Sequence, residues 1–215
     1  MKRYQAIIFD MDGVIINSEP LHERAYLEIF EEMGYGQTHG VNFDDYIGRT
    51  DKALIEDFIA KHKPPCTIQE LSDLKKDRFL KIMREHEPIF EDLPELVARL
   101  AANYPLAVAS GSLHPVIDAA LALKNLRQHF RLCVSSSDVA HGKPAPDIFL
   151  HTAKLLHVEP LDCCVIEDSA AGVAAARAAG MDVIAITNSL PRAKLTGATH
   201  IVDSYAEIDQ LLLAC

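Results

Sequence analysis

The chain has 215 residues, 49% of them apolar and none of them Trp, with a formal net charge of −10 and a pI near 5.4. That length can bury a full core and leaves room for a second small module. The charge opposes overall attraction to nucleic acid or to an anionic membrane, so a phosphorylated ligand would need a local cation.

No apolar run approaches the roughly 18 residues of a membrane-spanning helix, and Met1-Lys2-Arg3 leads directly into a strand pattern. Neither a spanning segment nor a signal peptide is expected, and the cytoplasm is the expected compartment. The five cysteines, Cys66, Cys133, Cys163, Cys164 and Cys215, form no Cys-x-x-Cys pair. Three lie in apolar strand-like runs, which favours buried reduced thiols over a zinc site or a disulfide scaffold.

In chain order, the first predicted strand is Ala6–Phe9, and it runs into Asp10-Met11-Asp12-Gly13-Val14. Residues 18–87 then carry helical patterns at Leu21–Met33, Lys52–Lys61 and Ile68–Glu85 and no strand, which reads as an inserted helical module. Its hinges are expected near Ile15–Asn17 and near His86–Phe90, where Pro88 interrupts helix. From Pro105 onward short apolar runs alternate with helical patterns. Leu106–Ala109, Leu132–Val134, Cys163–Ile166, Val183–Ile186 and His200–Val202 read as strands, and Pro115–Leu123, Pro146–His157, Ala170–Ala179 and Ala206–Leu213 as helices. The alternation predicts an α/β fold, a doubly wound Rossmann-like parallel sheet with ligands at the carboxyl ends of its strands.

Chemistry-bearing residues collect at those strand ends. Asp10 and Asp12 follow the first strand, and Glu167-Asp168-Ser169 end the run Cys163–Ile166. Clustered carboxylates cost several kcal/mol unless a cation or a proton compensates them, and oxygen ligands of this kind suit Mg²⁺. After Leu106–Ala109, the Ser110 hydroxyl and the amides of Gly111 and Ser112 can cradle phosphate oxygens. Lys143 sits in the proline-rich segment Gly142-Lys143-Pro144-Ala145-Pro146-Asp147, a rigid loop that could fix an ammonium. Taken one at a time, each motif has a plain alternative. Asp10 and Asp12 could be turn formers with Gly13, Ser110 and Asp168 helix caps, and Lys143 a solvated cation.

Together and in this order, the four motifs resemble those of the haloacid dehalogenase superfamily, in its branch of small-metabolite phosphatases and phosphoglucomutases. The resemblance covers essentially the whole chain. It implies an α/β catalytic core over 1–17 and 88–215 and a helical cap over 18–87. It implies Asp10 as nucleophile, forming an aspartyl-phosphate, and Asp12 as general acid and base. It further implies Mg²⁺ held by Asp10, the main chain of Asp12, Glu167 and Asp168, with Ser110, Gly111, Ser112 and Lys143 on the phosphate. In relatives the Lys-Pro bond is often cis. His22, Arg49 and Lys75 match cap positions that face the substrate.

The implied activity is Mg²⁺-dependent hydrolysis of a small phosphomonoester, a sugar phosphate or related metabolite, by a monomer or weak homo-oligomer. A β-phosphoglucomutase is the alternative, although mutases continue the serine loop with Lys-Asn where this chain has Leu113-His114. A non-catalytic binding protein would usually have lost one of Asp10, Asp12, Lys143 or Asp168, and a dehalogenase has no use for Asp12 or for the metal.

Overall fold

A computed structural model describes residues 4–46 and 51–213. The chain divides into two compact units, Met1–Asn17 with Pro88–Cys215, and Ser18–Glu87.

The first unit is built on six strands, β1 (Ala6–Phe9), β2 (Leu106–Ala109), β3 (Phe130–Val134), β4 (Cys163–Glu167), β5 (Asp182–Ile186) and β6 (His200–Val202). They form one sheet in the order β3-β2-β1-β4-β5-β6, and every pairing is parallel. The expected doubly wound architecture is therefore present. β1, β2 and β4 are buried along their whole length, which is why they read as continuous apolar runs rather than as alternating ones. Ala6, Ile8, Ala107, Ala109, Cys163, Val165, Val183 and Ala185 share one core with Ile148, Phe149, Val173 and Ala176. Those four belong to α6 (Asp147–Leu156) and α7 (Ala170–Ala178). The alternate strand residues, Ile7, Phe9, Leu106, Val108, Cys164 and Ile166, are equally buried. Both faces of the sheet are thus covered, as a two-sided crossover fold requires.

The helices completing this unit are α4 (Leu93–Ala101), α5 (His114–Ala122) and α8 (Tyr205–Leu213). α4 has no counterpart in the sequence reading, whose alternation begins at Pro105. The structure shows it amphipathic, with Leu93, Leu96, Val97 and Leu100 buried at helical spacing and a proline in its first turn, where a missing N–H costs nothing. β3 begins at Phe130, two residues before its predicted start at Leu132. The extra residue Phe130 packs edge-on against Phe9, with ring centroids 5.6 Å apart.

The second unit holds α1 (Glu19–Glu32), α2 (Asp51–His62) and α3 (Ile68–His86). No strand occurs among its described residues. An aromatic cluster makes its core: the Phe30 and Phe58 rings stack with centroids 4.2 Å apart, and Tyr26, Ile29, Leu54, Ile55 and Leu71 pack around them. α3 starts at a reciprocal cap in which the Thr67 hydroxyl accepts from the Glu70 amide and the Glu70 carboxylate accepts from the Thr67 amide. Among the described residues, no helix is long and apolar enough to cross a membrane.

Candidate active site

The strand order reverses direction between β1 and β4, and at that point a doubly wound sheet opens a crevice beyond its carboxyl ends. Asp10 continues β1 by one residue, its amide donating to the Ile166 carbonyl at 2.9 Å. Glu167 is the last residue of β4 and Asp168 follows it. Register therefore brings the two acidic motifs together: Phe9 pairs with Ile166, so the carboxylates one step beyond lie side by side. Oxygen atoms of Asp10, Glu167 and Asp168 lie within 4.8 Å of one another, and all three residues are buried.

Lys143 enters this cluster from the loop before α6, and the Lys143–Pro144 peptide that follows it is cis. Its Nζ donates to Asp10 Oδ1 at 2.5 Å and to Glu167 Oε1 at 2.6 Å. Glu167 is the most completely engaged group of the site. Besides Lys143 on Oε1, its Oε2 accepts from the amides of Asp168 and Ser169 at 2.8 and 2.9 Å and from the Ser169 hydroxyl at 2.9 Å. A Cβ on Gly172 would lie 1.6 Å from Oε1, so α7 can approach the carboxylate only because that position is glycine. Ser169 caps the same helix, its hydroxyl accepting from the Gly172 amide at 3.0 Å.

On the β2 side, Ser110 is buried and its amide donates to the Val134 carbonyl at 3.0 Å. The Ser110 hydroxyl accepts from the Ser112 amide at 3.0 Å and keeps its own proton to donate. The Ser112 amide is thereby already used, which narrows the expected cradle to the Ser110 hydroxyl and the Gly111 amide. Ser112 has a second task, because its hydroxyl donates to Asp12 Oδ2 at 3.0 Å. The other oxygen, Asp12 Oδ1, is buried with no hydrogen-bond partner. A polar atom in that condition costs roughly 1–3 kcal/mol, which marks it as a place for a ligand.

Electrostatics follow from the charges brought together: the Lys143 ammonium acts on the carboxylates of Asp10, Glu167 and Asp168, and the Asp12 carboxyl acts on Asp10. Burial drives the Asp10 carboxyl upward, Lys143 pulls it back, and Glu167, Asp168 and Asp12 push it up again, so the outcome is well above the ordinary range. Asp168 is pushed up to about 7, first by burial and then by Glu167. Burial alone would lower Lys143, but the Asp10 and Glu167 carboxylates overcome it and hold the ammonium above its usual value. An excess of buried negative charge on oxygen ligands is what a hard divalent cation relieves, so the donor set fits Mg²⁺. Asp10 and Asp168 present carboxylate oxygens for it, while both oxygens of Glu167 are already occupied by hydrogen bonds.

Sequence reasoning missed the residues that brace this cluster from the loop after β5 and from the start of α8. Asn188 donates through Nδ2 to the Gly13 carbonyl at 2.8 Å, and the Tyr205 hydroxyl donates to the Val14 carbonyl at 2.7 Å. The Ser189 hydroxyl pulls Asp168 back toward ionisation, though less strongly than burial and Glu167 raise it. A Cβ on Gly13, whose φ is +75°, would meet Asp168 Oδ2 at 1.8 Å and Ser189 Oγ at 2.5 Å. The glycine after β1 allows the close approach at Gly13, but nothing near it in sequence names the residues that make it.

Of the expected cap residues, His22 and Lys75 come together in the second unit. Lys75 Nζ lies 2.5 Å from His22 Nδ1 and over the Tyr26 and Phe79 rings, and the His22 ring stacks on Phe79. Arg49 falls outside the described residues.

Comparison with known proteins agrees with this geometry. The family described as haloacid dehalogenase-like hydrolase matches residues 7–186. The chain is 35% identical over 188 residues to the fructose-1-phosphate phosphatase YqaB of Escherichia coli, covering 85% of this chain and 96% of that protein. It is 31% identical over 185 residues to hexitol phosphatase B of the same species, covering 84% and 82%. Among solved structures, CbbY from Rhodobacter sphaeroides in complex with phosphate superposes with a TM-score of 0.81 at 28% identity, over 95% of this chain and 96% of that one. The chain belongs to the haloacid dehalogenase-like hydrolase family, as an enzyme of the phosphoric monoester hydrolase type.

Proposed function

We propose that the protein is a Mg²⁺-dependent phosphatase of a small sugar phosphate, working through an aspartyl-phosphate on Asp10. The observation that carries this reading is the unequal treatment of the two aspartates: Asp10 is bridged to Lys143, while Asp12 is held by Ser112 through one oxygen and leaves the other without a partner. A nucleophile needs its charge balanced and its position fixed. A proton carrier needs an oxygen free to reach the reacting group.

In this reading the phosphoryl oxygens rest on the Ser110 hydroxyl, the Gly111 amide and Lys143. Asp10 attacks phosphorus, the ester P–O bond breaks, and the proton of Asp12 goes to the departing alkoxide. Water then attacks the aspartyl-phosphate, Asp12 takes the proton from that water, and the Asp10 carboxylate is regenerated as phosphate leaves. Mg²⁺, held by Asp10, Asp168 and the main-chain oxygen of Asp12, would supply charge neutralisation for the attack of one anion on another. Glu167 acts on Lys143, fixing the ammonium against Asp10. Residues 1–17 and 88–215 form the catalytic core, and residues 18–87, with His22, Arg49 and Lys75, form the cap that selects the substrate.

Sugar and hexitol phosphates are the substrate class to try first, because the relatives at 35% and 31% identity are named for them. The mutase alternative is weakened by the loop after β2. A mutase must hold a second phosphate, yet Leu113 is uncharged and His114 Nε2 donates to Asp138 Oδ2 at 2.8 Å. Phosphorus NMR separates the two. With β-glucose 1-phosphate and a trace of the bisphosphate, any turnover should appear as inorganic phosphate; glucose 6-phosphate formed without phosphate release would establish the mutase instead.

A further inference from the structure

The turn that carries Asp12 is tied to two side chains from the far end of the chain. The chain leaves the α/β unit at Asn17 and returns at Pro88, and the two passages are joined. The Asn17 amide donates to the Pro88 carbonyl at 2.8 Å, Ile16 bridges Ile89 antiparallel, and the Phe90 amide donates to the Ile15 carbonyl at 3.4 Å. Just upstream, the Met11 carbonyl accepts from the amides of Val14, Ile15 and Ile16, closing a tight turn around Asp12 and Gly13.

Two further carbonyls of that turn are taken by side chains. Asn188 Nδ2 spends one N–H on the Gly13 carbonyl at 2.8 Å and the other on the Tyr205 hydroxyl oxygen at 2.9 Å. Tyr205 then donates its own proton to the Val14 carbonyl at 2.7 Å. The chain of bonds has one direction, from Asn188 through Tyr205 to Val14, and each member satisfies the next. Tyr205 is buried, and burial raises its hydroxyl further above neutrality, so it remains a donor. Its ring also packs on Phe90, with centroids 5.8 Å apart. Tyr205 thus grips the outgoing passage by its hydroxyl and the returning one by its ring.

We propose that Asn188 and Tyr205 are positioning residues that hold the Asp12 carboxylate where it exchanges protons with substrate and water. The inference rests on the phosphatase reading above. Ser112 fixes Asp12 from the β2 side, but a single hydroxyl bond sets a distance and leaves the backbone free to shift. The Gly13 and Val14 carbonyls fix the backbone that carries Asp12. Proton transfer demands heavy atoms about 2.6–3.2 Å apart, so a small displacement is costly.

The test uses the full chain with Mg²⁺ and two substrates that depend differently on Asp12. A sugar phosphate releases an alkoxide that needs a proton, whereas p-nitrophenyl phosphate releases a phenolate that leaves without one. In Tyr205→Phe and Asn188→Ala, kcat/KM for the sugar phosphate is expected to fall about tenfold and that for p-nitrophenyl phosphate less than about threefold. Ile208→Val, a conservative change at a buried position of α8, should lower Tm and leave both values near wild type. Equal losses on both substrates, or no loss, would overturn the inference. Should Tyr205→Phe fail to fold, Asn188→Ala decides alone, since Asn188 lies on the surface. The phosphatase reading stands or falls separately, on wild-type turnover of the sugar phosphate; the present inference is read from the ratio between variant and wild type.

Discussion

At the scale of single residues, the buried acids of the site differ in their hydrogen bonding. Glu167 has donors on both oxygens, whereas Asp168 is pushed up to about 7 by burial and by Glu167. The two therefore answer differently to removal. If Asp168 holds Mg²⁺ as proposed, Asp168→Asn deletes a ligand oxygen and is expected to raise the Mg²⁺ concentration needed for half-maximal rate by at least about tenfold. Glu167→Gln should move that concentration little and instead lower kcat, because Lys143 loses the partner that aims it at Asp10. A titration of rate against Mg²⁺ for both variants checks this, and a larger shift for Glu167→Gln would return that residue to the metal shell.

The pH dependence has a definite sign. A carboxyl whose folded pKa lies above its unfolded value, here about 7 against 3.8, contributes stability that is fully present below the lower value and lost as pH rises through the upper one. The metal-free protein is expected to lose that contribution between about pH 4 and pH 7, and Mg²⁺ to restore it where Asp168 is ionised. The rise in Tm on adding Mg²⁺ should therefore be larger at about pH 7.5 than at about pH 5. An equal rise at both would show that the ion does not bind there.

At the scale of elements, glycine placement and capping do most of the positioning. Gly172 lets α7 pass within reach of Glu167, and an alanine Cβ there would sit 1.6 Å from a carboxylate oxygen that is itself held by Lys143. Gly172→Ala is expected to destabilise the protein by more than about 2 kcal/mol in chemical denaturation and to depress turnover, since overpacking at a buried charge has no room to relax. The second unit offers a contrast. Thr67→Ala removes one half of the reciprocal cap on α3 and should cost about 1 kcal/mol without altering chemistry at the aspartates.

These elements also mark what a reader of the sequence could and could not see. Asp10, Asp12, Glu167 and Asp168 were legible because buried parallel strands write themselves as apolar runs, and the residue after such a run lies at the carboxyl edge. Ser110 was legible for the same reason, after β2, and Lys143 for a different one, Pro144 and Pro146 that follow it. Asn188 and Tyr205 were not, because their contacts with Gly13 and Val14 span 175 and 191 residues and no local pattern encodes them. α4 was lost to a different cause: with Pro88 read as an interruption, the short amphipathic stretch Leu93–Ala101 fell outside the strand and helix rhythm. The double engagement of Glu167 was also hidden, since adjacent acids in sequence look alike and only their hydrogen bonds tell them apart.

At the scale of the whole molecule, the fold places Asp10, Asp12, the Lys143 ammonium and the carboxylates of Glu167 and Asp168 at the reversal point of one parallel sheet. The central claim is that Asp10 takes the phosphoryl group. Steady-state release of inorganic phosphate from hexose and hexitol monophosphates, measured with Mg²⁺ for the wild type and for Asp10→Asn side by side, tests it most directly. The expected result is turnover of at least one of these substrates by the wild type and none above background by Asp10→Asn, since an amide cannot serve as this nucleophile. Retention of more than a few per cent of wild-type activity by Asp10→Asn would contradict the covalent mechanism.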